Sequence, residues 1–86
     1  MTPLETTTES PMSDEIATLD QQIIHLVGRR AAAARQQTRA RMDSGGSRTS
    51  LAEENVVIDR YREELGRPGV NLALLLLGLP DRMPAR

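Results

Sequence analysis

From Pro11 to Asp43 the chain contains no second proline, and Gly28 is the only glycine in that stretch. Ser10 can cap a helix and Pro11 suits a first helical position. Ala31 to Ala34 and the Gln/Arg-rich residues after them are strong helix formers. This predicts one helix over about residues 11–42. At about 1.5 Å per residue it would be a rod of roughly 48 Å. A compact chain of 86 residues has a radius of gyration near 12 Å, by the usual scaling of about 2.2·N^0.38. The remaining forty-odd residues cannot cover such a rod. A second copy lying alongside it is the physical solution.

The rest of the chain reads as two shorter helices. Asp43-Ser44-Gly45-Gly46-Ser47 is a loop by composition. Ser50-Leu51-Ala52-Glu53 matches a capping box, in which Ser and Glu reciprocally satisfy the first free N–H groups. A second helix is expected over about 51–65, with Gly66 as a left-handed C-cap. Arg67-Pro68-Gly69 reads as a turn, and a third helix covers about 70–79 until Pro80 stops it. Its LALLLLGL run is apolar on nearly every side, which predicts burial, here inside a dimer. Residues 1–9 read as a disordered tail, 10–80 as one helical domain and 81–86 as a C-terminal tail. The expected fold class is all-α: a three-helix chain forming an intertwined homodimeric helical bundle.

Charges interrupt the apolar stripes. On the first helix the 3-4 spacing runs Ile16, Leu19, Ile23, Leu26, then Arg30, Ala33, Gln37 and Arg41. On the second it runs Leu51, Glu54, Ile58, Tyr61 and Leu65. A buried charge costs several kcal/mol unless it is paired. Two readings follow. Arg30 and Glu54 form a buried ion pair, or Arg30 snorkels out. Alternatively, arginines line a polar cavity inside a helical bundle, a recognised place for ligand sites. Arg30 and Arg41 lie eleven residues apart, so they point the same way with Cα atoms about 16 Å apart. Two long side chains at that spacing leave room for a small molecule with two anionic groups.

Composition removes several function classes. There is no cysteine, so no disulfide scaffold and no thiolate metal site. The net charge is −1, with one tyrosine and no tryptophan or phenylalanine. Nucleic-acid binders need a basic excess and stacking aromatics. No apolar run approaches the roughly 20 residues of a membrane span, and no secretory signal pattern is present. A cytoplasmic protein is the expectation. All eleven basic residues are arginine. Codon usage is the bland explanation, and carboxylate or phosphate recognition the functional one. His25 falls off the stripe and has no partner for a metal site. No serine has a His/Asp partner in helical register. Gly45-Gly46 lacks a phosphate-loop pattern. Arg29, Arg35, Arg39, Arg60 and Arg62 read as solvated helix faces.

Taken together, D-x-x-I-x-x-L-V-x-R-R in Asp20 to Arg30, A-R-M-x-S-G-G-x-R in Ala40 to Arg48 and E-x-x-V-I-x-R-Y in Glu54 to Tyr61 resemble the all-α (AroQ-type) chorismate mutases. The resemblance is nearest to the short actinobacterial subclass and covers roughly residues 14–79. It implies an intertwined homodimer and the rearrangement of chorismate to prephenate in phenylalanine and tyrosine synthesis, without metal or cofactor. It also implies roles. Arg30 matches the arginine that grips a substrate carboxylate, Arg41 the cation at the ether oxygen, and Glu54 the glutamate near the hydroxyl end. Arg48, Ser13, Ser50 and Glu53 complete the expected substrate-binding set.

Two positions depart from that pattern. The arginine that such proteins supply across the subunit boundary aligns with Ser13, and the arginine before the second-helix glutamate aligns with Glu53. Charge-assisted bonds are worth about 1.5–3 kcal/mol each, so two losses would weaken the site by several powers of ten. Arg48, Arg82 and Arg86 are the candidates to compensate. The resemblance further implies DAHP synthase as an activating partner. Two other readings compete: the same scaffold acting on an amino-substituted chorismate or on isochorismate, and a helical dimer that has lost catalysis and serves a binding or regulatory role.

Overall fold

The computed structural model describes residues 11–47 and 50–83. The expected N-terminal tail, Arg48 and Arg86 therefore lie outside the described residues. Three helices follow one another: α1 (Pro11–Asp43), α2 (Leu51–Leu65) and α3 (Arg67–Gly78), with a 3-10 turn at Leu79–Asp81. No strand occurs among the described residues, so the expected all-α class holds.

Local chemistry explains the helix ends. α1 closes in a Schellman motif: the Gly46 N–H donates to the Arg41 carbonyl at 2.8 Å and the Gly45 N–H to the Met42 carbonyl at 3.0 Å. Gly45 takes φ +89° there, which a side chain resists. α2 starts on Ser50, whose Oγ accepts from the Glu53 N–H at 3.3 Å. The reciprocal half of the expected capping box is not made, because the Glu53 carboxylate turns instead to Arg41. Gly66 ends α2 with φ 76° but ψ −157°, positive as expected yet outside the left-handed helical well.

Residues 67–69, expected as a turn, are the first turn of α3. Proline lacks a donor, but a first helical turn needs none. Gly69 is buried because α2 and α3 pack against each other there: a Cβ at 69 would overlap the Tyr61 carbonyl. α3 ends at Gly78, and Pro80 sits inside the 3-10 turn that follows.

α2 and α3 form the packed pair, and the 3-10 turn rests on α1. Two arginines tie α1 to the end of α3. Arg30 Nη1 donates to the Leu76 carbonyl at 3.5 Å, and Arg35 Nη1 donates to the Pro80 carbonyl at 3.0 Å. Arg35 is thus half-buried and bonded, not the solvated side chain expected.

The buried apolar core is slight: Ala31 (2 % exposed), Ala73 (0 %) and Leu76 (7 %). The α1 face toward its own chain is Val27, Ala31, Ala34 and Thr38, whereas Ala33 of the expected stripe is exposed. Met12, Ile16, Leu19, Ile23, Ile24 and Leu26 all face outward, as do Leu72, Leu74 and Leu75 of α3. The chain is correspondingly elongated, 58 × 32 × 15 Å, with a radius of gyration of 17.6 Å.

Candidate functional site

A cleft of about 260 Å³ opens between the C-terminal half of α1, the start of α2 and the end of α3. Five of the seven expected site residues line it: Arg30, Arg41, Ser50, Glu53 and Glu54. Arg30 and Arg41 share it because eleven helical steps return to nearly the same direction. The half-formed capping box sets Glu53 and Glu54 in the first turn of α2, opposite Arg41. Ser13 is not among them. It stands seventeen residues before Arg30 on α1, about 25 Å along the axis. Arg48 lies outside the described residues.

The electrostatics differ from a purely cationic pocket. Arg41 Nη2 donates to Glu53 Oε1 at 2.5 Å, with the Arg41 side chain 23 % exposed and that of Glu53 60 %. Among the described residues no ion pair joins Arg30 to Glu54; the Arg30 guanidinium bonds the Leu76 carbonyl instead, weakly at 3.5 Å. Asp81 supplies a third carboxylate. Among the described residues, two guanidinium groups and three carboxyl groups line the cleft.

The backbone loop after α1 helps aim Arg41. A Cβ at Gly46 would stand 2.8 Å from Arg41 Cγ, so the glycine leaves room for the arginine stem to lie over the loop. Gln37, Thr38, Val57 and Leu77 are also part of the walls. Gln37 was legible as a polar break in the α1 stripe. Asp81 gave no sequence signal, because only the 3-10 turn carries it back to α1. Arg82, a candidate to compensate, is exposed and does not line the cleft.

Among the described residues no group of histidine, aspartate and glutamate is placed to hold a metal ion, and no helix is long and apolar enough to cross a membrane.

Comparison with known proteins identifies the family. Residues 12–77 match the family model described as chorismate mutase type II. The chain is 47 % identical over 68 residues to the intracellular chorismate mutase of Mycobacterium tuberculosis, covering 79 % of this chain and 64 % of that protein. It is 45 % identical over 65 residues to the protein of the same name from Mycolicibacterium smegmatis, covering 76 % and 62 %. The chain thus spans somewhat less than two thirds of the length of these curated relatives. A solved structure superposes with a TM-score of 0.81 at 32 % identity, covering 96 % of this chain and 100 % of that one. It is described as a non-covalent complex of DAHP synthase and chorismate mutase from Corynebacterium glutamicum with a bound transition state analog.

Proposed function

The chain belongs to the chorismate mutase type II family, and from that premise we propose that it catalyses the rearrangement of chorismate to prephenate. The observation that carries this reading is the convergence of Arg30, Arg41 and Glu54 on one cleft. Chorismate has two carboxylates and reacts through a folded conformer. Holding that conformer removes an entropic part of the barrier. As the C–O bond breaks, negative charge grows on the ether oxygen. A fixed cation there stabilises the transition state more than the ground state.

In this reading Arg30 grips a carboxylate, Arg41 faces the ether oxygen and Glu54 meets the ring hydroxyl. Ser50 and Glu53 line the binding cleft, and Ser13 and Arg48 are assigned to it from the family pattern. Residues 10–80 form the working domain. Two copies entwine, each covering the exposed apolar face of the other's α1. The Corynebacterium glutamicum complex supports a DAHP synthase as activating partner, and the relatives' names support a place inside the cell.

Loss of chorismate absorbance with purified protein, with and without a DAHP synthase, tests the proposal, with the product identified by mass and acid conversion. Prephenate formation that Arg30→Ala abolishes is the expected result. No turnover under either condition, or turnover to a different product, overturns it.

A further inference from the structure

We propose that Arg35 is a positioning residue for this cleft. By holding the Pro80 carbonyl it fixes the 3-10 turn as the third wall of the cleft, and so raises ligand affinity without touching the ligand. The inference deepens the reading of the cleft as the chorismate-type site and rests on it.

Three observations carry it. First, one side of the cleft depends on the turn. Leu77, Pro80 and Asp81 form the side that neither α1 nor α2 supplies, and it is chiefly through the 3-10 turn that the α2–α3 pair meets α1. Second, Arg35 stands behind that wall. It does not line the cleft; it lines a neighbouring hollow of about 350 Å³ that shares Thr38, Pro80 and Asp81 with the cleft. Third, the Pro80 carbonyl needs a donor from outside the turn. The Arg82 and Met83 N–H groups both donate to the Leu79 carbonyl, each at 2.9 Å. The next residue in the chain is Pro84, which has no N–H to offer. Arg35 Nη1 supplies the missing donor at 3.0 Å.

A half-buried carbonyl left without a donor costs free energy, so this bond holds the turn where the guanidinium reaches it. Arginine suits the task, because its planar fork loses little freedom for each bond it makes. The parallel bond from Arg30 to the Leu76 carbonyl is weaker, at 3.5 Å, and in the proposed pose Arg30 turns to a ligand carboxylate. Of these two arginines, Arg35 is the one that goes on holding the end of α3 while the ligand is bound. Linkage makes the effect reciprocal: a turn whose placement favours the ligand is itself steadied when the ligand binds.

The test measures chorismate affinity by NMR titration of the full chain, together with hydrogen exchange at the Arg82 and Met83 amides; turnover is followed in parallel. Arg35→Met keeps the apolar stem but removes the donors. It should weaken binding at least threefold and speed exchange at both amides at least threefold. Arg35→Lys retains a charged donor and should recover most of the lost affinity. Arg39→Met removes the same charge one turn along α1, from an exposed side chain outside the cleft, and should leave affinity within twofold. In the wild type, saturating chorismate should slow exchange at the two amides at least threefold, a readout that stands even where Arg35→Met fails to fold. Affinity that Arg35→Met lowers less than threefold, an equal loss in Arg35→Lys or Arg39→Met, wild-type exchange that chorismate does not slow, or no measurable binding by the wild type overturns the proposal. Turnover judges the assigned activity separately. Chorismate affinity that follows Arg35 without prephenate formation refutes only the activity, and prephenate formation with an affinity indifferent to Arg35 refutes only the positioning role.

Discussion

At position 69 the α3 backbone runs so close to the Tyr61 carbonyl that even a methyl group would overlap it. Gly69→Ala must push the two helices apart, and overpacking of this kind costs about 1–3 kcal/mol. A fall in the urea midpoint without a change in slope is the expected outcome. The charged positions argue differently. The resemblance places arginines where Ser13 and Glu53 stand here, so Ser13→Arg combined with Glu53→Arg should raise chorismate turnover by at least tenfold. No gain in steady-state kinetics would count against that alignment. The directions of Arg30 and Arg41 were legible from their eleven-residue spacing. The Arg41–Glu53 pair was not, since a capping-box motif assigns Glu53 to its own helix and says nothing of a rival guanidinium across the loop. Arg35 was equally hidden, because its acceptor is a carbonyl forty-five residues away.

Helix ends were readable because their causes are local: a capping serine, paired glycines and a proline in a first turn each act within a few residues. Ser50→Ala should cost about 1 kcal/mol of stability, measured as a lower thermal midpoint. It should also loosen the first turn that aims Glu53 and Glu54, raising KM along with the stability loss. Choosing which face of α1 turns inward was harder. The helix has one apolar stripe through Ile16, Leu19, Ile23 and Leu26, and a different inner face through Val27, Ala31, Ala34 and Thr38. Periodicity picks out the first, but it cannot say which face meets the same chain. The Arg67-Pro68-Gly69 segment misled for a related reason. Its composition fits a turn, while its conformation is set by how closely α3 must approach α2.

A radius of gyration of 17.6 Å is far above the roughly 12 Å of a compact 86-residue chain. Among the described residues, three small or medium side chains form the buried apolar core, too little to hold a 33-residue helix in place. Ile23→Glu puts a carboxylate into the face we assign to the partner copy. Sedimentation equilibrium should then show monomers where the wild type gives dimers, and a dimer that survives the change would remove this face from the interface. The thermal midpoint of the wild type should rise with protein concentration, as mass action requires when association supplies the stability. The outward apolar stripe on α1 also has a kinetic consequence. In the proposed dimer, a rod that no described segment of its own chain shelters settles only on meeting the second copy, so the final step of refolding is expected to be second order and to slow in proportion as the solution is diluted.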